Sequence, residues 1–195
     1  NGVEENANTY AYPVGTTQLE WIATDNAGNA DTCYQDINIT DNEDPIVIDC
    51  PLGTQVGNDP GDCGAIVTFS DATFSDNCTG LQVDITGGLP SGSLFPIGLT
   101  TVVYTATDVG GNQTSCEIYI VVQDVELPTF TGCPNDTVLS AGSLNCNASF
   151  TYPTVDVNDN CPGTTLQQLG IPSGGVFPVG VSVVSWIATD TTGNE

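Results

Sequence analysis

The sequence predicts an all-β chain built as tandem antiparallel β-sandwiches that repeat about every 83 residues. Three observations carry this. One stretch recurs: YPVGTTQLEWIATDNAGNADTC at 12–33, FPIGLTTVVYTATDVGGNQTSC at 95–116, and FPVGVSVVSWIATDTTGNE at 177–195. The cysteines keep the same period, since Cys33 and Cys116, Cys50 and Cys133, Cys63 and Cys146, and Cys78 and Cys161 each stand 83 apart. Apolar residues alternate between Gly, Pro, Asn and Asp turns, with no helical period. A fixed-period repeat decides the architecture before any local motif does.

In order, the chain holds the last strands of one unit (1–41), a whole unit (42–124), and a third unit (125–195) that lacks the counterpart of the strand ending at Val122. In the whole unit, Ile46-Val47-Ile48 is a short strand ended by Cys50-Pro51. Ala65, Val67 and Phe69 alternate with Ile66 and Thr68, giving a strand with one buried face. The parity recurs in Ala148, Phe150 and Tyr152. A turn-rich loop, SDATFSDNC, precedes a strand over Leu81 to Ile85. Val102, Tyr104 and Ala106 mark the buried face of the next strand, and Cys116, Ile118, Ile120 and Val122 that of the last. Trp21, Tyr104 and Trp186 occupy equivalent positions, so their parity predicts core packing. Strands at this spacing make a sandwich of about seven strands.

Composition excludes whole classes of function. The chain has 24 acidic residues and no Lys, Arg or His. Nothing can neutralise a phosphate, so nucleic acid is excluded, and an anionic membrane surface is disfavoured equally. The usual general base and Schiff-base amine are missing, and the serines have no activating partner, which predicts a protein that is not an enzyme. No run is long enough to insert in a bilayer. Eight cysteines without His or C-x-x-C argue for disulfides in an extracellular or cell-surface setting, not for zinc.

Cys50-Pro51, Gly61-x-Cys63, Asp76-Asn77-Cys78, Phe95-Pro96-x-Gly98 and Tyr104-Thr105-Ala106-Thr107-Asp108-x-x-Gly111-Asn112 together resemble the hyalin-repeat (HYR) domain. The junction Thr40-Asp41-Asn42-Glu43-Asp44-Pro45 is similar to linkers in HYR arrays of secreted bacterial surface proteins. The resemblance implies an immunoglobulin-like fold and an adhesive or matrix role. In such a sandwich the first and last strands run side by side, which predicts Cys50–Cys116, then Cys63–Cys78 and Cys146–Cys161. Cys33 and Cys133 are left to bond cysteines outside this chain or in a neighbouring one.

The same connectivity places the linker and two loops at one pole. It gathers Asp41, Glu43 and Asp44 with Asp71, Asp76 and Asp108, and Asp124 and Glu126 with Asp156, Asp159 and Asp190. Clustered carboxylates suit Ca²⁺, a hard ion bound by oxygen. The competing reading makes Asp25, Asp108 and Asp190 turn caps and leaves the linker acids solvated. Asn38, Asn77, Asn112, Asn135 and Asn147 stand in N-x-Ser/Thr sequons. Of these, Asn38, Asn112 and Asn135 are the candidate glycan acceptors, with Asn112 the most accessible, and Thr137 and Thr191 sit in Asp-Thr pairs resembling bacterial O-glycosylation sites. The function expected is an elongated, disulfide-stapled, Ca²⁺-stiffened fibre or stalk. Its partners would be neighbouring repeats, copies of itself in a filament, or glycans. The alternatives are a filament protomer that exchanges strands and a carbohydrate-binding module of a secreted protein.

Overall fold

The computed structural model describes residues 10–143 and 145–195, so residues 1–9 of the first partial unit lie outside the described residues. Every regular element among the described residues is a strand. In chain order, β1 (Gly15–Thr24) and β2 (Ala30–Ile39) are followed by β3 (Ile46–Asp49), β4 (Thr54–Gly57), β5 (Gly64–Val67) and β6 (Thr73–Ser75). Then come β7 (Gln82–Gly87), β8 (Ser93–Pro96), β9 (Gly98–Thr107) and β10 (Gln113–Gln123). The rest are β11 (Thr129–Thr131), β12 (Asn147–Ser149), β13 (Asp156–Asn158), β14 (Thr165–Leu169), β15 (Val176–Pro178) and β16 (Ser185–Thr189).

The repeat in sequence is a repeat in hydrogen-bond register. β3 pairs β6 with Ile46 opposite Ser75, and β11 pairs β13 with Thr129 opposite Asn158. β5 pairs β8 with Ala65 opposite Phe95, and β12 pairs β15 with Ala148 opposite Phe177. β7 pairs β9 with Gln82 opposite Thr107, and β14 pairs β16 with Thr165 opposite Thr189. All are antiparallel. Because a one-residue slip would turn every side chain to the other face, matched registers mean matched cores.

The chain divides into two compact units. The first takes residues up to Leu52 with Ser70–Pro90 and Thr101–Ile118. Its core is Val102, Tyr104, Ala106, Cys116 and Ile118, on the alternating buried faces of β9 and β10, with Ala72. The bond Cys50–Cys116, with Cα atoms 5.9 Å apart, ties the chain after β3 to the last strand. Closing a loop of this length stabilises by about 4 kcal/mol in the chain-entropy account. The second unit takes Gly53–Phe69, Ser91–Thr100 and Tyr119–Glu195. Ala65, Val67, Phe95, Ile120, Val122, Tyr152, Val155 and Ala188 are buried in it. Fully burying a side chain such as Phe95 or Ile120 is worth about 1.5–3 kcal/mol.

Two expectations need correction. One strand pairing is not antiparallel: β4 lies parallel to the end of β10, with Thr54 opposite Ile120 and Gly57 opposite Gln123. The counterpart of β4, residues 137–140, carries no strand, and the described residues contain no counterpart of β10 for it to join. The second correction concerns Trp21. It is 55% exposed, whereas its equivalent Tyr104 is 4% exposed and Trp186 is half-buried. Alternation gave Trp21 the right face of the β1–β2 hairpin, but that face is exposed.

Candidate functional site

Each copy of the Asp-x-x-Gly-Asn stretch folds into the same turn. Asp108 accepts the Asn112 backbone N–H at 2.8 Å and the Asn112 amide at 2.8 Å. Asp190 accepts N–H groups of Thr192, Gly193 and Asn194 at 2.6–2.9 Å, and the Asn194 amide at 2.7 Å. Asp25 holds Asn29 in the same way. The glycine is required, because Gly28, Gly111 and Gly193 sit at φ of 90°, 90° and 95°. Burial alone would raise the Asp190 carboxyl, but the hydrogen bonds from Asn194 and Thr192 outweigh it and bring it down to about 2. Against the same burial, bonds from Asn112, Gly111 and Gly110 lower Asp108. These two candidate ligands are therefore committed to their own turns.

The turn also grips the linker. The Asn112 amide donates to the Asp41 carbonyl at 3.2 Å, and the Asn194 amide donates to the Asp124 carbonyl at 3.0 Å. This anchors one acid in each linker, and each is buried: Asp41 is 8% exposed and Asp124 is 4% exposed. One oxygen of each caps the residue two further on, Glu43 and Glu126. The second oxygen of each has no hydrogen-bond partner.

Beside each buried acid stands the Asp-Asn-Cys loop. Asp41, Asp76 and Cys78 place ligand atoms within 4.8 Å of one another, and so do Asp124, Asp159 and Cys161. Asp76 and Asp159 each accept the N–H of the cysteine two residues on, at 2.9 Å. Asp159 Oδ2 and Asn160 Oδ1 are buried without a partner as well. Two unit charges at such a spacing repel by about 3–4 kcal/mol at an effective dielectric of about 20, and no basic side chain exists in the chain to offset it. The Asp41 carboxylate beside it first, then burial and the charges of Asp76 and Asp108, push the Cys78 thiol up to about 11.

The remaining acids are bonded to other groups or exposed. Asp71 accepts the Tyr104 hydroxyl at 2.6 Å, and burial followed by this bond pushes that phenol up to about 12. Asp44 and Asp156 are exposed. Glu43 accepts the Asn77 amide at 2.9 Å, and Glu126 accepts the Gly61 N–H at 2.8 Å. Asn112, expected to be the most accessible glycan acceptor, is half-buried with its amide donating to both Asp108 and Asp41, so that expectation is corrected. Asn38, Asn135, Thr137 and Thr191 are exposed.

The disulfides correct a second expectation. Cys63 pairs with Cys161, Cα atoms 4.9 Å apart, and not with Cys78; Cys146 does not pair with Cys161. Cys33, Cys78, Cys133 and Cys146 are free thiols. The reason is topological. Cys63 and Cys161 belong to the second compact unit, whereas Cys78 belongs to the first.

A profile of the HYR domain matches residues 40–122 and 123–195. The rat (Rattus norvegicus) protein "Sushi, von Willebrand factor type A, EGF and pentraxin domain-containing protein 1" is 34% identical over 73% of this chain and 4% of its own length. Hyalin of Lytechinus variegatus is 30% identical over 94% of this chain and 35% of its own length. The chain thus spans a minor part of each. Extracellular cadherin domains 1–4 of protocadherin gamma B7 superpose over 91% of this chain and 57% of that one, at 14% identity and a TM-score of 0.38.

Proposed function

The chain belongs to the HYR domain family, and on that footing we propose that it is a structural, adhesive segment of a repeat array, stiffened at its linkers by Ca²⁺. It is an extracellular or cell-surface chain, as its disulfides and its family require. Its role is reach and presentation, not catalysis. One observation carries the calcium reading: at both linkers a buried aspartate, Asp41 or Asp124, keeps a bare second oxygen beside another carboxylate. Burying unpartnered charge is unfavourable by several kcal/mol unless a counter-charge joins it. The ligand set is Asp41 with Asp76, and Asp124 with Asp159 and the Asn160 carbonyl oxygen. Carbonyls and water would complete the 6–8 oxygens that Ca²⁺ takes.

Calorimetric titration of the calcium-stripped chain with CaCl₂ tests this. Two binding events are expected, with a rise in melting temperature, and Asp124→Asn should remove one of them. No heat and an unmoved melting curve would refute the calcium reading.

A second reading, a filament protomer that accepts a strand, is favoured by one feature. A cleft of about 450 Å³ opens between Leu139, Phe150, Tyr152, Phe177 and Trp186. A synthetic Gln113–Gln123 peptide should quench Trp186 fluorescence if the cleft takes a strand; no change would dismiss this reading.

A further inference from the structure

The disulfide Cys63–Cys161 joins two positions that are not equivalent in the repeat. Cys63 is the counterpart of Cys146, and Cys78 the counterpart of Cys161, each 83 residues apart. The chain therefore carries one finished joint and, separately, a second copy of each of its halves, with both sulfurs free.

The donor half is a tight turn. In the finished joint Asp59 N–H donates to the Gly64 carbonyl at 2.7 Å, and Asp62 N–H donates to the Asp59 carbonyl at 2.9 Å. Shifted by one repeat, Gly142 N–H donates to the Asn147 carbonyl at 3.2 Å, and Asn145 N–H donates to the Gly142 carbonyl at 3.3 Å. The same turn is thus already formed around Cys146, which is exposed.

The acceptor half is the acidic nest. In the finished joint it holds the incoming turn at two points beside the sulfur. Glu126 accepts the Gly61 N–H at 2.8 Å, and the Asn160 amide donates to the Asp62 carbonyl at 3.0 Å. In the nest around Cys78 the equivalent residues are Glu43 and Asn77. There they bond each other, with the Asn77 amide donating to Glu43 at 2.9 Å. Two groups that grip a turn in one nest are closed on themselves in the other.

We infer that Cys78 with Glu43 and Asn77 is a docking site for the Cys146-type turn of another HYR repeat, which a second copy of this chain can supply, and that the pair closes into a disulfide equivalent to Cys63–Cys161. On docking, the Asn77–Glu43 bond opens. Glu43 takes an N–H and Asn77 a carbonyl of the incoming turn. The covalent step consumes an external low-molecular-weight disulfide: two thiols, Cys78 and Cys146, lose two protons and two electrons to it, one Sγ–Sγ bond forms, and the oxidant leaves as two thiols. Donor and acceptor are different surfaces, so the contact is head-to-tail and can recur from one repeat to the next. Each linkage would be covalent as well as packed. The inference rests on the reading of this protein as part of a repeat array.

The test uses the full chain with Cys33→Ser and Cys133→Ser, refolded and exposed to oxidised glutathione. A ladder of covalent oligomers is expected on non-reducing gels, with Cys78–Cys146 as the linked peptide after Glu-C digestion; trypsin has no site here. Cys78→Ser and Cys146→Ser should each lose the ladder. The two variants mixed should give one heterodimer and nothing larger. Asn77→Ala should slow linkage several-fold while leaving alkylation of Cys78 by iodoacetamide unchanged. A chain that keeps both thiols, or links Cys146 to Cys146, or moves Cys78 onto Cys63, overturns the inference. Calcium titration is read separately, so failure here is distinguishable from failure of the array reading.

Discussion

Two hairpins with nearly the same sequence meet opposite fates. β9–β10 and β1–β2 share the alternation, the Asp-x-x-Gly-Asn turn and a cysteine at the same place in the second strand. On β9–β10 the alternate residues Val102, Tyr104, Ala106 and Ile118 are at most 4% exposed. On β1–β2 the equivalent residues differ: Leu19 is half-buried, Trp21 is 55% exposed and Ala23 is exposed. Cys116 is bonded to Cys50; Cys33 is a free thiol. Local chemistry therefore builds the hairpin and its turn, down to the capping bonds of Asp25 and Asp108. Burial needs another element against the face, and the pattern of one hairpin does not supply it.

The comparison breaks most visibly in the core. Tyr104→Ala should destabilise by about 3–5 kcal/mol, as large-to-small core changes do, and Trp21→Ala by less than about 1 kcal/mol, as exposed changes do. Urea melts of both variants decide this, and equal losses would mean that Trp21 is buried in solution. Cys116→Ser should lower stability by about 2–4 kcal/mol, against no measurable change for Cys33→Ser. Thermal melts with and without reductant check it, since reductant should bring the parent at least as low as the Cys116→Ser curve, Cys63–Cys161 being reduced as well.

The turns sharpen the comparison, because here the hairpins should agree locally. Gly28→Ala and Gly111→Ala both force a side chain to φ near +90°, a strain of about 1–2 kcal/mol. Only the Gly111 change should appear in the global melt; the Gly28 change should show as faster amide exchange confined to β1–β2. The third copy adds a pH test. The Asp190 carboxyl is held at about 2 in the folded chain, below its ordinary 3.8. Its stabilising contribution is therefore complete above pH 4 and is lost as pH falls from about 4 through 2. Asp190→Asn should flatten the melting temperature over that window. An unchanged acid slope would show that the turn bonds do not hold the carboxylate.

The smallest effect belongs to Tyr104→Phe. It removes the bond to Asp71 but keeps the ring, so about 1 kcal/mol is expected at neutral pH. The phenol is held at about 12 when folded. Its contribution is therefore whole below pH 10 and fades as pH rises from 10 towards 12, where parent and variant melts should converge.

The strands, the buried parity of β5, β9 and β10, and the repeat itself were legible in the residues, because alternation and turn chemistry act over a few neighbours. The acidic linkers were legible as a set, from their spacing before each repeat. Which acids are left bare was not. Asp108 and Asp190 look like ligands in sequence, yet their own Asn112 and Asn194 satisfy them, and those same amides turn Asp41 and Asp124 into the buried pair. The asparagine common to all three turns was the available signal.

By itself the sequence determined the all-β class, the period, the hairpin turns and the absence of any basic side chain, since each follows from local propensity or composition. Only the tertiary structure decided which sulfurs meet, which carboxylates lose their solvent, and which of two like hairpins is covered. Those outcomes depend on residues 66 and 98 positions apart in the chain being brought to one place, and the alternation along a single strand carries no information about what will lie across from it.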